Sequence, residues 1–94
     1  MKESVKSENA AMLYKAVLSL KDETECAAFF KDLCTDTEIS AMAQRFVVAK
    51  MVAEGKKYDE IENATGASPA TISRVKRYMT NYAHYKIFTR IDEE

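Results

Sequence analysis

The chain has 94 residues, 47% hydrophobic and 31% charged, which suits one small globular domain over 1–94 and leaves too little material for a second core. Two glycines and one proline are too few to turn the strands of an all-β fold, and no uncharged run nears the roughly 20 residues of a membrane-spanning helix. The net charge of −1 conceals a split: residues 1–40 carry 5 basic and 8 acidic side chains, whereas 67–90 carry 5 basic and no acidic ones.

In chain order, residues 1–8 are polar and uncapped and read as a disordered tail without the apolar core of a signal peptide. Leu13, Val17 and Leu20 follow at i, i+4 and i+7 and predict a first helix ending near Lys21. Asp22, with Glu25 three residues on, is placed to cap a second helix whose stripe is Cys26, Phe29, Phe30, Leu33 and Cys34. The two cysteines are separated by roughly 12 Å of helix axis, too far to pair, and read as buried free thiols of a reducing compartment. Thr35 and Glu38 form a second capping pattern before a long helix through Ile39, Met42, Phe46, Val47, Val48, Met51 and Val52, stopped at Gly55. Each stripe by itself is compatible with an ordinary core. Three together in so short a chain exceed what a monomer covers, so residues 9–54 are predicted to be the dimerisation helices of a homodimer.

After Gly55 come Lys56 and Lys57, a brief helix around Asp59 to Thr65, the Gly66-Ala67 turn, and a helix opened by Ser68 as cap and Pro69 at the first helical position. Thr80 to Ile91 lie in a last helical segment, 80–94, giving an all-α chain of about six helices. Two short helices joined by a glycine turn, the second basic, form the pattern of a helix-turn-helix over 56–79, although such pairs also occur as plain packing units. Ile61, Ala67, Ile72 and Val75 are spaced to lock the pair. The opposite face carries Pro69, Ala70, Thr71, Ser73, Arg74, Lys76 and Arg77, small at the leading end and cationic beyond. A groove-reading helix needs both properties, since its tip approaches base edges while its cations meet phosphates.

Thr35-Asp36-Thr37-Glu38, Ala41, Gln44-Arg45, Glu54-Gly55 and above all Thr65-Gly66-Ala67-Ser68-Pro69-Ala70-Thr71-Ile72-Ser73-Arg74 resemble the Trp repressor family, most nearly its short branch in Gram-positive bacteria. The resemblance spans about residues 10 to 80 and implies an intertwined all-α homodimer with two helix-turn-helix heads on adjacent major grooves of double-stranded DNA. It also implies a ligand question, because the best-known member is switched by L-tryptophan held between two arginines that match Arg45 and Arg74, with edge threonines matching Thr35 and Thr71. The glycine after the second arginine is Val75 here, and the serine three residues further is Tyr78. These departures predict a pocket that the chain fills itself, leaving any small-molecule effector open. The turn is also one residue shorter and a base-contacting arginine is replaced by Asp59, so the operator does not carry over.

The remaining chemistry-bearing residues read as structural. His84 has no metal-ligand neighbours, Glu60 and Glu62 lie two apart on a solvated helix face, and Tyr78, Tyr82 and Tyr85 are spaced to pack the last helix. Nothing pairs a nucleophile with a base, and no metal or other cofactor is implied. The functional expectation is a cytoplasmic, non-enzymatic, DNA-binding repressor without a membrane partner. Lys56, Lys57, Lys76 and Arg77 would anchor phosphates, and Ser68 to Arg74 would face the bases. The alternatives are a repressor dependent on tryptophan or another small ligand, and a helical adaptor module that binds protein instead of DNA.

Overall fold

Helical spacing along the sequence is realised as six α-helices: α1 (Glu3–Ser19), α2 (Glu23–Leu33), α3 (Asp36–Ala53), α4 (Tyr58–Thr65), α5 (Pro69–Tyr78) and α6 (Tyr82–Thr89), followed by a 3-10 turn, Arg90–Glu93. The structure is a computed structural model that describes residues 3–79 and 82–93 and contains no strand among them. The side chains of Tyr82, His84 and Tyr85, assigned packing or surface roles above, lie outside the described residues, as does Thr80.

The chain divides into two compact units, Met1–Asp36 and Thr37–Glu94. In the first unit α1 begins at Glu3, within the stretch expected to be a disordered tail. Glutamate, lysine and alanine are strong helix formers, and a glutamate at a helix start is favoured by the helix dipole. Asp22 does cap α2: its Oδ1 accepts from the Glu25 N–H at 2.8 Å. Phe29 and Phe30 meet edge to face with centroids 5.5 Å apart. No residue of α2 is buried, and Leu18 of α1 is 85% exposed. Two helices alone cannot enclose a side chain. For the same reason Cys26 and Cys34 are free but only half-buried, which corrects the expectation of buried thiols.

The second unit is organised around one apolar cluster, Val48, Ala49, Ile61, Ala67, Ile72, Val75 and Met79, with Val52 and Phe88 packed against it. Val48, Ile61 and Ile72 are fully buried, each contributing roughly 1.5–3 kcal/mol. The cluster explains where the chain divides. The second unit begins at Thr37 and takes in α3, whose second half supplies Val48 and Ala49 to the same core as α4 and α5. Helix α3 ends where Gly55 takes φ +78°, with Gly55 N–H donating to Val52 O and Lys56 N–H to Met51 O, both at 3.0 Å. This paired closure absorbs carbonyls left open at a helix end. Beyond α5, Phe88 of α6 packs on Phe46 of α3 (centroids 5.8 Å apart), and Asp92 in the closing turn reaches Lys50 Nζ at 3.1 Å.

Candidate nucleic-acid interface

The geometry of the head begins with the chemistry of its turn. Glu60, on the first turn of α4, accepts the Lys57 N–H at 3.1 Å, so this carboxylate caps its own helix as well as facing solvent. At the other end Gly66 adopts φ +73°, and its N–H closes on Glu62 O at 2.9 Å. Thr65 Oγ1 donates to Ile61 O at 2.7 Å and accepts the Ala67 N–H at 3.1 Å. The remaining Thr65 group, its carbonyl, accepts from Gln44 Nε2 of α3 at 3.1 Å. The turn is therefore tied to both helices that precede it. Ser68 then caps α5, its Oγ accepting the Thr71 N–H at 3.2 Å and donating to Thr71 Oγ1 at 3.1 Å.

With the turn so fixed, α5 buries Ile72 and Val75 and leaves Ser68, Pro69, Ala70, Ser73, Arg74, Lys76 and Arg77 exposed, while Thr71 is half-buried. Lys56 and Lys57 are exposed just before α4. Among the described residues, Lys56, Lys57, Arg74, Lys76 and Arg77 have no carboxylate at ion-pair distance. Lys50 differs: it is bound by Glu54 at 2.7 Å and by Asp92 at 3.1 Å. Hydrogen bonding to these two carboxylates raises its pKa above the ordinary lysine value. The head thus carries uncancelled positive charge, and α5 presents a small tip followed by cations.

The second expected site is assembled only in part. A cleft of about 330 Å³ brings together Arg45, Val75 and Tyr78, joined by Phe46, Met79 and Phe88. Arg74 and Thr71 are not in its lining, and Thr35 belongs to the first unit. Val75 is buried in one wall, but a valine is too small to replace a bicyclic ring, and Tyr78 at the end of α5 is 71% exposed. Phe88 and Gln44 are the contributors that sequence spacing does not expose. Each acts across a long sequence separation, Phe88 from α6 onto α3 and Gln44 from α3 onto the turn.

An α-helical chain with a capped, basic second helix locked to a shorter first one is a helix-turn-helix protein. The family model for Trp repressor protein matches residues 8–90, and the chain belongs to that family, whose members are transcription regulators and not enzymes. It is 52% identical over 83 residues to the uncharacterized protein YerC of Bacillus subtilis strain 168, covering 86% of this chain and 80% of that one. Among solved structures, a TrpR-like protein from Eubacterium eligens superposes with TM-score 0.83 at 43% identity, covering 97% of this chain and 96% of the other. A candidate Trp repressor from Staphylococcus aureus gives TM-score 0.81 at 42% identity over 100% of this chain and 98% of that one. Among the described residues no helix is long and apolar enough to cross a membrane, and no cluster of His, Cys, Asp or Glu could hold a metal ion.

Proposed function

We propose that the protein is a homodimeric, sequence-specific DNA-binding repressor of the cytoplasm that inserts α5 into the major groove. The observation that carries this reading is the exposed face of α5, small at its tip and followed by three cations that no described carboxylate neutralises. Lys56, Lys57, Lys76 and Arg77 anchor phosphates. Pro69, Ala70, Ser73 and Arg74 meet base edges, and Ser68 and Thr71, whose hydroxyls are engaged with each other, set the tip of the helix. Exposed Leu13, Val17, Leu33, Met42 and Val47 supply the apolar surface that a second copy covers. If each of the four anchors of both heads meets a phosphate, the log–log salt slope approaches about −7. Selection of bound fragments from genomic DNA, followed by footprinting, tests the reading: two protected major-groove segments about one helical turn apart support it. A chain that binds a protein and no duplex supports the adaptor instead.

Regulation without tryptophan is the first reading of the ligand question, supported by a cleft that Arg45 lines and Arg74 does not and by Val75 in its wall. The open volume of about 330 Å³ beside Val75 favours, as the second reading, a repressor switched by a different small apolar ligand. Calorimetry with candidate amino acids separates the two.

A further inference from the structure

We propose that Tyr58 is the positioning residue for Lys76, holding that ammonium ready for a DNA phosphate; the inference rests on the DNA-binding reading above. Lys76 Nζ lies 5.9 Å from the centroid of the Tyr58 ring, which links α5 to the first residue of α4. An ammonium over an aromatic face is attracted by the ring quadrupole. The physical difference from an ion pair is decisive here. A carboxylate places a cation and cancels its charge, as Glu54 and Asp92 do for Lys50, whereas a ring places it and leaves the charge available to a polyanion.

The neighbouring acids are arranged consistently with this. Asp59 Oδ1 accepts the Glu60 N–H at 3.0 Å, and Glu60 Oε1 accepts the Lys57 N–H at 3.1 Å, so both are engaged with backbone amides. Tyr58 sits on a firm base, because Ile61 one turn on is fully buried. Tyr58 is 38% exposed and Lys76 is exposed as well, so the ammonium stays open to solvent and to a ligand. A lysine loses considerable rotamer freedom when it is immobilised against a phosphate. A partner that confines it beforehand lowers that loss at the moment of binding.

The test uses the full chain and a mixed-sequence DNA duplex of about 30 base pairs, titrated by fluorescence anisotropy between about 50 and 200 mM salt. Tyr58→Leu should weaken binding about two- to five-fold, the range expected for loss of an exposed cation–π contact. Tyr58→Phe, which keeps the ring, should restore it, and Tyr58→Leu should add nothing in a Lys76→Ala background. In the free protein the Lys76 ε-methylene protons should show an upfield ring-current shift that survives in Tyr58→Phe and disappears in Tyr58→Leu. This shift is read in the wild type and Tyr58→Phe even if the leucine variant folds poorly. Independent losses from Tyr58→Leu and Lys76→Ala, equal losses from Tyr58→Phe and Tyr58→Leu, or no ring-current shift would each overturn the proposal. A wild-type chain that shows the shift but binds no duplex overturns the DNA-binding reading and leaves Lys76 placed by Tyr58 for some other purpose.

Discussion

Replacing Gln44 with glutamate should loosen the turn that aims α5, by an amount the hydrogen bonding allows to be worked out. Gln44 Nε2 donates to the Thr65 carbonyl at 3.1 Å, and only the NH₂ end of an amide can face that oxygen. Gln44→Met keeps the side-chain length and removes the donor, at a cost of about 0.5–1.5 kcal/mol. Gln44→Glu also sets an anionic acceptor against a carbonyl acceptor, so its cost at neutral pH should exceed that of methionine and reach about 1–3 kcal/mol. A protonated carboxyl can donate again. The difference between the two variants should therefore shrink as the pH falls toward the ordinary glutamate pKa of about 4.3. Urea unfolding at matched protein concentration gives the stabilities, and amide exchange at Ala67, whose N–H is held by Thr65 Oγ1, reports the turn itself. A glutamate variant at least as stable as the methionine variant at neutral pH, with Ala67 protection unchanged in both, would refute the tie between α3 and the turn.

Gly66→Ala should cost roughly 1–2 kcal/mol, because φ +73° is strained for a residue with a β-carbon while the space around that carbon is empty. Gly66→Asn should cost less, and thermal melts that rank alanine above asparagine would remove conformational strain as the explanation. Lys50 has a pKa raised by its hydrogen bonds to Glu54 and Asp92, so the protonated form is the one the fold favours. Its stabilisation should be fully present below the ordinary value of 10.5 and be lost as pH rises through the raised folded value; Lys50→Met should abolish that part of the alkaline decline in urea melts. Val75→Gly should destabilise by about 2–4 kcal/mol through lost burial and poor helix propensity. L-tryptophan should not raise the melting temperature of the wild type, and saturable calorimetric binding would contradict the ligand-independent reading.

Local signals made the head legible in the sequence. Ser68-Pro69 marks a helix start by capping chemistry, Gly66 marks a left-handed turn, and the spacing of Ile61, Ala67, Ile72 and Val75 identifies the face that is buried. The partition of α3 was not legible, because its stripe does not reveal that Val48 and Ala49 join the core of α4 and α5 while Met42 and Val47 remain exposed. Helix periodicity identifies an apolar face but not what covers it. The same limit explains Cys26 and Cys34, whose helical stripe has no partner layer within its unit. Gln44, Tyr58 and Phe88 act through contacts between helices far apart in sequence, for which no spacing rule exists.

Whether α5 reads DNA is measured most directly by the affinity of the wild-type protein and of Arg74→Ala for a duplex selected from genomic DNA, compared with a scrambled duplex across a range of salt concentrations. Wild-type binding should weaken steeply with salt and prefer the selected duplex. Arg74→Ala should lose about 1–3 kcal/mol on that duplex and little on the scrambled one. Equal loss on both duplexes would make Arg74 a phosphate anchor only. No wild-type binding to any duplex at about 50 mM salt, where phosphate contacts are strong, would contradict DNA reading by α5 itself.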